Sequence, residues 1–172
     1  MVQELIDLRQ SIVEGRYQDA LDIVNELEGM GKQAIIRNIE SFLVRLLIHL
    51  IKNQVEKRLT NSWAASISDS IRQIKKLNLK DNKKSYYIKQ DEWSEYLQEA
   101  FEAAILEASI EVSGGTYTPI QLEEIVNQEQ ITEIALSFID LTYQHSAKDL
   151  LSTVREYFIN FPGGKEWLQR RI

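Results

Sequence analysis

The sequence predicts an all-α fold, a multi-helix bundle around one long, nearly fully buried central helix at about residues 32–57. Three observations predict it. First, residues 35–58, IIRNIESFLVRLLIHLIKNQVEKR, hold no Gly or Pro. Wound at about 100° per residue, their apolar side chains cover most of the circumference, and a helix that apolar must be enclosed by others. Second, breakers are scarce, with 7 Gly and 2 Pro in 172 residues, too few for the turns of a sandwich or barrel. Third, apolar residues recur at i, i+3, i+4 and i+7 along most of the chain, and no segment alternates convincingly. The nearest to an extended piece is EVSGGTYT at 111–118.

The elements follow in order. Residues 3–13 form a short amphipathic helix with Leu5, Leu8 and Ile12 inward, ending at Gly15. Residues 17–30 form a second, with Ala20, Leu21, Val24 and Leu27 inward and Gly29 and Gly31 at its end. The tight glycine turn then sends the long helix back antiparallel to it. Thr60, Asn61 and Ser62 offer capping oxygens to a helix over 62–77, lined by Trp63, Ile67, Ile71 and Ile74. Residues 78–89 are polar and lysine-rich and read as a long loop. Asp91 caps the cleanest helix, 92–112, whose inward row is Trp93, Tyr96, Leu97, Ala100, Phe101, Ala104, Ile105 and Ala108. Ser113-Gly114-Gly115 breaks it. Thr118 caps the next helix, with Pro119 at its first position, where a missing N–H costs nothing. That pattern runs through Ile125, Ile131, Ile134, Ala135, Phe138 and Leu141, as one helix or two. Ser146 caps another helix, with Leu150, Leu151, Val154, Tyr157, Phe158 and Phe161 on its apolar side. Pro162-Gly163-Gly164 ends it, and residues 165–172 add a last turn or two anchored by Trp167 and Leu168. Residues 1–115 read as the bundle core and 116–172 as a C-terminal helical extension packed on the same domain.

Composition narrows the function classes. The chain has no Cys, which removes disulfides, thiolate metal sites and Cys nucleophiles and fits a reducing cytosol. The N-terminus MVQELIDLRQ has acids and no apolar h-region, unlike a signal peptide. The uninterrupted apolar piece at 46–51 already contains His49, between Arg45 and Lys52, and falls short of the roughly 20 residues a membrane span needs. A cytoplasmic protein is expected. The net charge of −6 is segregated. Residues 1–71 carry 8 basic and 10 acidic groups, residues 72–89 carry 7 and 1, and residues 90–172 carry 5 and 15. An acidic C-terminal half argues against broad coating of nucleic acid.

The residues GRYQDALDIVNELEGMGK, then LVRLLIHLIKNQVEKR, then NSW, resemble a cyanobacteria-rich bacterial group, domain-of-unknown-function family twenty-nine. Its signature positions are matched here by Met30-Gly31-Lys32, His49, Lys52, Gln54, Arg58, Ser62 and Trp63. Asn53 stands where the family tends to have Trp, and the proline that follows there is missing. The resemblance covers about residues 14–112. It implies an all-helical fold and carries no established activity.

Candidate site residues follow from the narrow polar gap in the long helix. Asn38, Ser41, Arg45, His49, Lys52 and Glu56 fill it at spacings of 3, 4, 4, 3 and 4. Arg45, His49, Lys52 and Glu56 form one charged face, and His49 would act as a base if Glu56, Glu26 or Glu28 oriented it. The competing reading is a solvated stripe or a satisfied polar seam between helices. No E-x-x-H pair occurs and the chain has 2 His, so neither a metal nor a cofactor is expected. The lysines Lys75, Lys76, Lys80, Lys83 and Lys84, with Tyr86 and Tyr87 behind them, form a candidate basic patch, or a solvated loop. Trp63, Trp93 and Trp167 are candidate interaction anchors, or closures of the core. Three functions stay open in this order: a non-catalytic protein-interaction or self-associating module, a small enzyme or ligand-binding bundle centred on His49, and nucleic-acid binding through 72–89. A protein partner or homo-oligomer is therefore the expected partner.

Overall fold

The computed structural model describes residues 2–169, and among them it is all-helical. Eight α-helices follow in chain order: α1 Val2–Val13, α2 Tyr17–Glu56, α3 Asn61–Asn78, α4 Trp93–Glu111, α5 Pro119–Ile125, α6 Gln128–Gln144, α7 Ala147–Tyr157 and α8 Gly164–Gln169. Short 3-10 turns follow α4 at Val112–Gly114 and α7 at Phe158–Asn160. The segment 111–118 is thus a turn, with Ser113, Gly114 and Gly115 all at positive φ, rather than an extended piece. Residues 170–172 of the predicted terminal turn lie outside the described residues.

The largest departure from expectation is α2. It runs 40 residues without interruption through Gly29 and Gly31, so the predicted pair of helices is one. Each glycine weakens a helix by about 1 kcal/mol. A break would leave four carbonyls and four N–H groups without helical partners and require a second nucleation. Neither glycine sits at positive φ, so neither acts as a stop. Asp91 does not cap α4 either: the N-cap is Glu92, with no side-chain bond to the helix.

The chain forms two compact units, residues 1–37 and 38–172. The first is a helical hairpin of α1 and the front of α2. Arg16 closes its turn with ion pairs of 2.9 Å to Glu14 and to Asp19. Its interior is thin. Ser11 and Ala20 are buried, while Leu8, Ile23, Val24 and Leu27 are half-buried. Leu5 and Ile12, expected inward, are about half exposed.

The second unit holds the core. From Ile39 onward α2 becomes the apolar rod the sequence predicts, with Ile39, Leu43, Leu46, Leu47, Leu50 and Ile51 at 2% exposure or less. Fully burying such a side chain is worth about 1.5–3 kcal/mol. Helix α3 turns Trp63, Ile67, Ile71 and Ile74 inward and packs against α6 and α7. Its start is capped by Thr60, whose hydroxyl accepts from the Trp63 N–H. Helix α4 buries the predicted row from Trp93 to Ala108, leaving Tyr96 half-buried, and packs against α5. Thr118 and Gln121 form a reciprocal capping box on α5. Phe138, Tyr157, Phe158, Phe161 and Trp167 make a chain of tilted and edge-to-face contacts with centroids 5.4–6.3 Å apart.

The C-terminal turn is locked to the end of α2 by glycine. Gly163 has φ +72°, and a Cβ there would sit 2.6 Å from the Arg58 Cα. At Gly164 a Cβ would collide with the Phe158 carbonyl oxygen. By contrast, a Cβ on Gly29 or Gly31 meets nothing within 4 Å. Gly163→Ala is therefore expected to destabilise the second unit by about 2–4 kcal/mol in urea unfolding, combining left-handed strain with overpacking. Gly31→Ala is expected to stabilise its helix by about 0.5–1 kcal/mol, read as slower amide exchange in the flanking turns.

Candidate functional site

Along the polar stripe of α2, Arg45, Lys52 and Glu56 each find a charged partner within their own unit. Arg45 donates to Asp69 on α3 at 2.9 Å and reaches the Ser66 hydroxyl at 3.3 Å. The other Asp69 oxygen accepts from Arg72 at 2.7 Å, and the two guanidinium partners, Arg72 foremost, hold the carboxyl below its usual pKa. Lys52 donates to Glu111 at the end of α4, at 2.8 Å. Glu56 pairs with Arg58 at 3.0 Å.

His49 is the exception. Its Nδ1 lies 2.8 Å from the Arg45 carbonyl oxygen, so Nδ1 carries the proton and donates within its own helix. Among the described residues no carboxylate hydrogen-bonds to it. Glu56 is engaged by Arg58, and Glu26 and Glu28 lie roughly six turns upstream on the same continuous helix. The base arrangement that needed one of these carboxylates is not formed. Burial lowers the His49 pKa, with Lys52 and Arg45 adding to it, against the Arg45 carbonyl and Glu111.

The signature residues at the end of α2 converge on one structure. Lys52 and Arg58 lie over the Trp63 ring, at 4.8 and 4.6 Å from the centroid. Between them Asn53, 4% exposed, donates one amide proton to the Arg58 carbonyl at 2.9 Å and the other to the Pro162 carbonyl at 2.8 Å. Gln54 binds the start of α6, accepting from the Asn127 N–H at 2.9 Å and donating to Gln130 at 3.0 Å. Lys57 ends the helix at φ +53°, a position glycine usually takes. Trp167 donates to Asn61 at 2.7 Å.

Trp63 and Trp93 are 6% and 1% exposed, and Trp167 is half-buried. The first two spend their area on the core. Trp93 donates its indole N–H to the Tyr143 hydroxyl at 2.7 Å, inside a buried network that organises the lysine-rich segment. Asn78 donates to the Ile88 carbonyl and to the Tyr143 hydroxyl, and accepts from the Ile88 N–H at 2.7 Å. Tyr143 in turn donates to the Ile88 carbonyl. The intervening chain is a closed hairpin-like loop with an isolated bridge between Leu79 and Tyr86, its tip held by the Asn82 carboxamide. This network places Lys75, Lys76, Lys80 and Lys83 around one groove and leaves Lys84 out of it.

Asn53, Asn78 and Tyr143 were not singled out from the sequence as site residues. The available signal was a polar side chain on an otherwise apolar face, at Asn53 and Asn78. Among the described residues no three His, Asp or Glu side chains cluster to hold a metal ion, and no helix is long and apolar enough to cross a membrane.

A sequence-family model described as Domain of unknown function DUF29 matches residues 6–131. No curated protein and no solved structure matches the chain.

The His49 environment has a pH consequence. The folded state binds this proton less tightly than the unfolded chain, whose imidazole titrates near 6.5. Stability from this group is complete above that value and falls as pH drops through it, because the unfolded state takes up the proton first. The thermal midpoint is expected to fall between about pH 7.5 and 5.5, and to fall less in His49→Gln, which keeps a donor and cannot charge.

Proposed function

The chain belongs to the DUF29 family, and we propose that it works as a non-catalytic helical module that associates with a second copy of itself through its N-terminal hairpin. The observation that carries this reading is the apolar surface of that hairpin. Val2, Leu5, Ile6, Ile12 and Val13 on α1 are 51–79% exposed, and Tyr17 and Leu21 at the start of α2 are 67% and 56% exposed. On α1 these residues follow the i, i+3, i+4 pattern of a buried helix face, yet that face looks away from the one carrying Ser11 and Leu8.

An exposed apolar face of this kind marks an association surface. Its symmetry favours another copy of the same chain. On the exposed face of α1 the apolar pairs Leu5–Ile6 and Ile12–Val13 flank Arg9. An antiparallel partner therefore lays apolar end on apolar end in an isologous contact. The polar stripe around His49 supports the non-catalytic half of the reading, since Arg45, Lys52 and Glu56 are engaged in ion pairs of the fold itself.

Light scattering on the full chain tests the reading. The expected mass is twice the 20.0 kDa of one chain. Ile6→Glu, at a half-exposed position, is expected to weaken association by about 10- to 100-fold while leaving the far-ultraviolet dichroism unchanged. A strictly monomeric wild type, or a dimer indifferent to Ile6→Glu, overturns it.

A further inference from the structure

The loop that Asn78 folds back does more than bury a polar network. It encloses, with α3 and the start of α7, a groove of about 420 Å³ lined by Arg72, Lys75, Lys76, Lys80 and Lys83 at its polar edges. Its apolar wall is Leu79, Ala147 and Leu150, and Asp81 is the single carboxylate that lines it. Pockets of this size accept small organic molecules.

Most of the positive charge of the groove lacks an ion-pair partner. Arg72 is paired with Asp69. None of Lys75, Lys76, Lys80 and Lys83 has a carboxylate partner among the described residues. Lys80 rests over the Tyr87 ring, 5.4 Å from its centroid. Lys75 is half-buried and donates to the Thr142 carbonyl at 2.6 Å. Burial lowers its pKa, the mark of an ammonium taken from water without a counter-charge. Several point-like ammoniums around one opening suit the multiple charges of a phosphate better than a single planar carboxylate, which guanidinium forks serve. The apolar wall would go unused by inorganic phosphate. It suits a flat or aliphatic body attached to the anion.

We infer that this groove is a binding site for a small phosphorylated organic molecule of about nucleotide size, its phosphates held by Lys75, Lys76, Lys80 and Lys83 and its body laid against Leu79, Ala147 and Leu150. The groove is confined by α7 on one side and the loop on the other, which favours a small ligand over a nucleic-acid strand. The site is independent of self-association through the N-terminal hairpin.

The test uses the full chain and an ATP analogue with a fluorescent methylanthraniloyl group, followed by anisotropy at low salt. Saturable binding is expected, with inorganic triphosphate competing at least tenfold more weakly than ATP. Lys76→Gln/Lys80→Gln is expected to weaken binding more than tenfold. Ala147→Glu places a carboxylate in the groove at the first turn of α7, where the helix dipole tolerates it, and is expected to do the same with an unchanged thermal midpoint. Absence of binding at millimolar probe overturns the inference. So does binding that both variants leave intact. Inorganic triphosphate binding as well as ATP would remove the apolar wall from the site. Tighter, Ala147→Glu-insensitive binding of a single-stranded oligonucleotide would make the lysines a nucleic-acid surface instead.

Discussion

The second unit depends on the carboxamide of Asn53. It stands near the end of α2, at a position buried to 4% exposure, and each of its two amide protons meets a carbonyl from a different part of the sequence. One carbonyl belongs to the turn leaving α2 and the other to the turn entering α8. A buried amide without such partners would cost about 1–3 kcal/mol. The same pairing draws the 162–164 turn close enough to Arg58 that only glycine fits at 163. Trp63, covered by Lys52 and Arg58, and Trp167, bonded to Asn61, complete the junction.

This junction gives the family signature a structural meaning. Lys52, Arg58 and Trp63 form a cation–aromatic stack, and Gln54 secures the N-terminus of α6. Of the residues that looked most like a site on the helical wheel, Arg45 ties α2 to α3 and Lys52 ties it to α4. His49 differs from its neighbours in having no charged hydrogen-bond partner, and its proton stays on the nitrogen facing its own helix backbone. A stripe of ionisable groups along a buried helix can arise from either chemistry or architecture, since structural ion pairs perturb titration as active sites do. Here Arg45 and Lys52 have their partners on α3 and α4.

Much of the fold was legible because helical periodicity is local. The inward rows of α3 and α4 and the Thr118 and Ser146 caps follow from spacings within a few turns, and the structure keeps them. The failures share a cause too. Gly29 and Gly31 read as a helix end because glycine is common there, but a glycine stops a helix by adopting left-handed backbone, and whether it does so depends on what the rest of the chain requires. Leu5 and Ile12 read as inward because they are apolar. A two-helix hairpin has too little facing surface to cover both sides of α1, and one apolar side stays exposed within a single chain.

The sequence by itself determined the all-α class, the apolar helix within about 32–57 as the axis of the core, and membership of the family, because apolar period and motif spacing are properties of neighbouring residues. Only the tertiary structure decided what the polar residues do. Asn53 meets a carbonyl 109 residues away, Lys52 a carboxylate 59 away, and Asn78 a hydroxyl 65 away. Those pairings also turn a solvated-looking run of lysines into the rim of a groove. Partners that distant leave no periodic trace in the chain, and they exist only once the helices have packed.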